Sequence, residues 1–412
     1  GAPEQSRPKA DLGDGTTGWH FDVTLHNLGA APATYELSSQ ALSEIVEDGF
    51  FTGHSSDWRG RGVAISYSGA AVRGTGESAT VTVPASGEAT VGVDVTPGSE
   101  FARYVSDNAP SGTFLDGFVR FASKAEGQPD LAVPYLGFYG DWGKAPIFDA
   151  LASTGGAHTR ASEIVNGATG DSLGYNPLIK VADRTGKPNP QRYVISRSAA
   201  SGAPTVLEPR TGTLRSVHTL NTVYANAAGE TVASFVTHQA WKSGVNPSTG
   251  KMTWVEDGHE STALDLRSDA YKNLPDGDYT LTLSAHNDGP SQADQSISYD
   301  FRLDTKAPVI SDLVYSGKDE GFVVTFDVTD DSPLAAVDLH DPADGLWFYR
   351  HIFTPSEGRV GEDGVYSYHV ELPIMTIMQA WKNQGGTGGV VAHPYVLAWD
   401  YGLNPSDPVT LD

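Results

Sequence analysis

Short runs in which apolar and polar residues alternate recur along the whole chain, and they constrain the fold more than any other feature. In residues 19–25, Trp19, Phe21, Val23 and Leu25 alternate with His20, Asp22 and Thr24, the period of a half-buried β-strand. The same period returns in Thr80–Val83, in residues 90–95, and in residues 278–285 through Tyr279, Leu281, Leu283 and Ala285. Gln295–Leu303 alternates Ile297, Tyr299, Phe301 and Leu303; residues 322–328 and 366–372 repeat it, and Tyr395–Asp400 closes the series. Residues 118–121, 131–138, 192–196 and 231–238 are further candidate strands. Three short stretches suit helical turns instead: 41–47, 100–105 and 373–381, where Met375 and Met378 stand three apart.

Turn chemistry separates these runs. With 46 Gly and 25 Pro in 412 residues, the chain favours many short strands over long helices. Pro275-Asp276-Gly277 places a suitable residue at each turn position before the strand at 278. A boundary falls near Lys144, before a less regular Gly-, Ala- and Ser-rich stretch, and another at Asp304-Thr305-Lys306-Ala307-Pro308, where Pro308 forces its predecessor to be extended. The expected architecture is all-β: three tandem immunoglobulin/fibronectin-type-III-like β-sandwich domains at residues 1–144, 145–306 and 307–412.

Charge narrows the function. There are 51 acidic against 27 basic residues, a net −24, and no basic cluster that could displace counterions from nucleic acid. No apolar run approaches the roughly 20 residues of a membrane span. The sequence contains no cysteine, begins Gly1-Ala2-Pro3 and ends at Asp412; both ends read as cut from something longer. The chain is expected to be a monomer.

Chemical motifs are mostly illusory. Gly13-Asp14-Gly15-Thr16-Thr17-Gly18 matches the dinucleotide fingerprint, but a strand follows it and Asp14 would repel phosphate. Gly170-Asp171-Ser172-Leu173-Gly174 matches a nucleophile elbow, yet it runs into Tyr175-Asn176-Pro177, which cannot start a helix smoothly. His20, Asp22 and His26 share one strand face, but neighbours there stand about 6.6 Å apart, too far for a zinc centre from one strand. No catalytic, cofactor or metal residue is therefore assigned. Calcium is the one ion that the acidic loops could take: Asp327, Asp330 and Asp331 precede a turn, and Asp400 ends the last strand. Trp142, in Tyr139-Gly140-Asp141-Trp142-Gly143, reads as an aromatic buried in a joint rather than a platform for sugar.

Three stretches carry a resemblance. The first is Phe21-Asp22-Val23-Thr24-Leu25-His26-Asn27-Leu28-Gly29 with Ala33-Thr34-Tyr35-Glu36-Leu37. The second is Gly112-Thr113-Phe114-Leu115-Asp116-Gly117-Phe118-Val119-Arg120-Phe121, continued by Val133-Pro134-Tyr135-Leu136-Gly137-Phe138-Tyr139-Gly140-Asp141-Trp142-Gly143 and Pro146-Ile147-Phe148-Asp149. The third joins residues 274–285 to 303–308. Together they resemble the C-terminal fibronectin-type-III-like region of lactocepin-type subtilisin-like cell-envelope proteinases, including the complement-cleaving peptidases of cocci. The resemblance implies a parent serine endopeptidase on a bacterial cell wall, with its Asp-His-Ser triad upstream, since none of the triad's motifs occurs here. It also implies that the first domain packs against the catalytic and protease-associated domains, with a share in protein-substrate contact. One departure stands out. Where relatives carry an acidic, Gly-rich calcium loop after Val194-Ile195-Ser196, this chain reads Arg197-Ser198-Ala199-Ala200-Ser201-Gly202, with no carboxylate. The alternatives left open are an adhesin or carbohydrate-binding array and a plain structural stalk.

Overall fold

The computed structural model describes residues 8–411, apart from 247, 288–292, 318–321, 355, 384–390 and 392. It is nearly all β, as the alternation requires: strands take 48% of the chain and helices only 8%. The chain forms two compact units. One takes the residues through Pro146 and the segment that begins at His286; the other takes Ile147–Ala285 and the chain from Asp294 onward.

In the first unit, Trp19–His26 and Glu88–Pro97 pair antiparallel, with Val23 opposite Val91 and Phe21 opposite Val93. Val63–Ser68 pairs with the far edge of Glu88–Pro97 to complete a small sheet. The larger sheet is built around Thr113–Ser123, which lies between Leu131–Tyr139 and Ala33–Ser39. The two inner faces meet in one apolar cluster that includes Leu37, Val91, Val93, Leu115, Val119 and Phe121. Phe121 is fully buried, so truncating it to alanine should cost about 3–5 kcal/mol.

Residues 41–47 do not form a helical turn. Leu42–Glu47 is a strand paired with Phe50–Asp57 across a two-residue connection. Both connecting residues have positive φ, 52° at Asp48 and 81° at Gly49. That is the hairpin turn for which Asp-Gly is the best sequence, and local turn chemistry here outweighs helix propensity. The other two helical readings are matched by Ser99–Asn108 and Ile374–Asn383.

The second unit holds two further apolar clusters. One is centred on Val217–Asn226, Gly277–Ala285 and Gln295–Leu303 and contains Leu220, Tyr224, Leu281, Leu283 and Leu303. The other contains Val324, Phe326, Val328, Leu339, Val370 and Val396. Leu334–His340, central in the last sheet, is buried at all seven positions. A small cluster of Val194, Ala335 and Tyr401 lies where these two β layers meet. There Asn176 donates to the Ala335 carbonyl at 2.8 Å, and the Arg192 guanidinium lies over the Tyr401 ring at 4.9 Å.

Candidate functional site

The stretch of strongest resemblance builds a surface. Along Thr113–Ser123 the inward positions are Thr113, Leu115, Gly117, Val119 and Phe121, while Phe114, Phe118 and Arg120 face out. Leu131–Tyr139 runs antiparallel beside it, setting Phe118 opposite Pro134 and Asp116 opposite Leu136. Phe114, Phe118 and Leu136 therefore share one outward face, at 43%, 38% and 44% exposure. The Arg120 guanidinium sits 5.2 Å from the Phe118 ring.

Several residues of this stretch have structural reasons. A Cβ on Gly117 would lie 2.1 Å from the Gln40 carbonyl oxygen, an oxygen that also accepts a hydrogen bond from the Tyr135 hydroxyl. Asp141 caps the following turn by accepting from the Gly143 amide at 3.0 Å. Trp142 is half-buried, with Phe138 at 5.0 Å and Phe114 at 5.7 Å, so it packs on aromatics of its own motif. Asp149, buried, accepts from four backbone amides: Ala150 and His158 at 2.8 Å, Thr159 at 2.6 Å and Arg160 at 2.9 Å. Burial pushes its carboxyl up, but those four amides outweigh it and hold it below the usual carboxylate range.

The motifs that mimic enzyme chemistry are explained by the fold. Gly13–Gly15 lies at the end of Ala10–Gly15, a strand beside Leu131–Tyr139, and the next element is again a strand. Asp14 accepts from the Trp142 amide at 2.7 Å, a structural role. Ser172 donates its hydroxyl to the Glu163 carboxylate and sits in a two-residue strand, Asp171–Ser172. His20 bonds Asp94 at 2.8 Å and lies 3.4 Å from Asp22, while His26 pairs with Glu88 at 3.4 Å. The pairs with Asp94 and Glu88 run across to the neighbouring strand, and the contact with Asp22 stays on the same strand. The hydrogen bond to Asp94 raises the His20 pKa against an opposing effect of desolvation.

The four aspartates named for calcium divide. Asp327 turns outward to His369 at 2.6 Å, and Asp331 pairs with Lys306. Asp330 and Asp400 come together, joined by Asp304. One oxygen from each of the three lies within 4.8 Å of the others, and the residues are 6%, 0% and 1% exposed respectively. Asp304 is the residue that the sequence reading left out; its place at the end of Gln295–Leu303, just before Pro308, was legible only as a joint. Burial, with the charges of Asp400 and Asp304 behind it, pushes Asp330 up to about 9. Asp400 is pushed up to about 7, again by burial, against the stabilising bonds of Asn404. The stretch after Val194-Ile195 makes structural bonds: Ser196 and Ser198 donate their hydroxyls to the carbonyls of Gly402 (at 2.5 Å) and Leu403 (at 2.5 Å), with no carboxylate between 197 and 202.

The second unit also has a cleft of about 530 Å³ lined by Arg160, Arg210, Trp254 and Glu256, among others. The Arg160 guanidinium covers one face of Trp254 at 3.8 Å, and Glu256 accepts from the Thr211 amide at 2.9 Å.

Comparison with known proteins agrees with this picture. Residues 11–136 match the Fn3-like domain family, the region of the two paired sheets. A PII-type proteinase of Lacticaseibacillus paracasei is 25% identical over 341 residues, 80% of this chain and 17% of the relative. A PI-type proteinase of Lactococcus lactis subsp. cremoris is 24% identical over 340 residues, with the same coverage. A C5a peptidase of Streptococcus pyogenes serotype M1 is 31% identical over 105 residues, 24% of the chain and 9% of the relative. The chain thus spans about a sixth of the length of the two proteinases. Among solved structures, the adhesin CfaE reaches a TM-score of only 0.29 at 7% identity over 74% of the chain, too low to carry an argument. This is, then, a chain that opens with an Fn3-like domain and is similar over most of its length to a minor part of bacterial proteinases.

Proposed function

We propose that the chain is a non-catalytic accessory region of a secreted, wall-associated subtilisin-like serine proteinase, and that its Fn3-like sandwich docks on the catalytic part of the same parent chain. The observation that carries this reading is the outward apolar face of Phe114, Phe118 and Leu136. It sits on the stretch of strongest resemblance, and exposed apolar groups gathered on one sheet face mark interaction surfaces. The remaining sandwiches, divided at residues 144/145 and 306/307, space the enzyme from the wall and share in contact with protein substrate. Two assays test the reading. The purified chain should not hydrolyse peptides, and hydrolysis blocked by a serine-directed inhibitor would sink it. The polypeptide encoded immediately upstream in the same reading frame should bind the chain in trans, and failure to bind would sink the docking role.

The Arg160–Trp254 cleft favours a second reading, a binding module that takes a glycan or peptide in the second unit. A glycan and peptide array without hits would remove it.

A further inference from the structure

We propose that Asp304, Asp330 and Asp400 bind one hard divalent cation, calcium by preference, and that this ion fastens the end of the Gln295–Leu303 strand to the sandwich that follows it. The chemistry of the donor set comes first. Asp304 follows Leu303 at the close of one β layer; Asp330 ends Val323–Asp330 and Asp400 ends Tyr395–Asp400 in the next. Three carboxylates converge there, all more than nine-tenths buried. Among the described residues no lysine or arginine pairs with any of them; Arg302 and Lys306, the nearest in sequence, turn to Asp278 and Asp331.

The hydrogen bonds nearly saturate the cluster, and the exception is informative. Asp304 accepts from the Lys306 amide at 3.0 Å and from the Ser332 hydroxyl. Asp400 accepts from the Asn404 amide and from its side-chain NH₂, both at 2.7 Å. The same NH₂ donates to the Asp304 carbonyl at 3.0 Å. Asp330 accepts from the Ser332 amide at 2.6 Å through Oδ1, but its Oδ2 is buried and has no donor. Ionised, that buried oxygen would be costly without a partner. The carboxylates facing it repel it further, and a positive ion at that point relieves both.

The donor chemistry narrows the ion. Oxygens that all lie within 4.8 Å of one another can share one cation with ligand distances of roughly 2.4 Å. Magnesium gives up its waters reluctantly and is seldom held by an all-protein set of buried carboxylates, which calcium tolerates. No thiol or imidazole is among the three ligands, so nothing favours zinc or copper.

The test uses the whole chain after exhaustive chelation, at pH 7.5. Calorimetric titration with calcium chloride should give one site, and the melting temperature should rise and saturate with calcium. Asp330→Asn, close to isosteric, should weaken calcium binding at least 10-fold and abolish the melting shift, and Asp400→Asn should do the same. The exposed Asp327→Asn should keep the full response, which separates this site from diffuse attraction to an acidic surface. No calcium heat and no shift at millimolar calcium would overturn the proposal and leave the cluster held by shared protons. A response that persists in both Asp330→Asn and Asp400→Asn would also overturn it. An equal response to magnesium would overturn the preference for calcium.

Discussion

Replacing Asp149 by asparagine should destabilise the second unit strongly, although the change removes no bulk. The carboxylate holds the chain at residues 149–150 to the loop at residues 158–160 through four amide donors. Asparagine keeps one accepting oxygen and turns an NH₂ toward the amides of Thr159 and Arg160, so two charge-assisted bonds are lost. At about 1.5 kcal/mol or more for each, the cost is about 3 kcal/mol. For a domain of this size that corresponds to a fall of about 6–12 °C in melting temperature, measurable by scanning calorimetry. The pH dependence follows from the direction of the shift. Because the folded carboxyl sits below its unfolded value of about 3.9, its contribution is fully present above that value and lost as pH falls through the folded pKa. The wild-type advantage should therefore be constant from pH 5 to 8 and shrink below about pH 4. A shift under 2 °C, or one that stays constant down to pH 3, would refute the reasoning.

Other perturbations separate structural from functional residues. Gly117→Ala forces a methyl against the Gln40 carbonyl at 2.1 Å and should cost about 2 kcal/mol or more by overpacking, read as a lower denaturation midpoint of the first unit. Phe118→Ser removes an exposed ring and should change the unfolding free energy of that unit by under about 0.5 kcal/mol. Ser172→Ala should leave any peptide hydrolysis measured with the purified chain unchanged, because its hydroxyl meets a carboxylate and no imidazole; a drop would revive the nucleophile reading.

How much of this was legible in the sequence depends on whether a strand has a wet face. Trp19–His26, Gly277–Ala285 and Gln295–Leu303 each alternate between core and solvent, so their pattern announces them. Leu334–His340 is buried on both faces, and a strand without a polar side carries no period of two. Its Asp338 is held by Arg350 through two bonds of 2.6 Å and by the Trp399 indole at 3.0 Å, so even its charged residue points inward. Val217–Asn226 escapes for another reason: Thr222 sits inside beside Leu220 and Tyr224, and a buried threonine blurs the pattern. Of the carboxylate cluster, Asp330 and Asp400 stood out beside turn residues. Asp304 did not, because its partners are 26 and 96 positions away and only the tertiary fold brings them together.

The account stands or falls on whether the outward face of the Fn3-like sandwich engages the protease part of its own parent. The direct measurement is the melting temperature of the polypeptide encoded immediately upstream in the same reading frame, with the purified chain added in trans. The account predicts a saturable rise with the wild-type chain and little or none with a chain carrying both Phe118→Ser and Leu136→Ser. No rise with the wild-type chain, or an equal rise with the double variant, would contradict it.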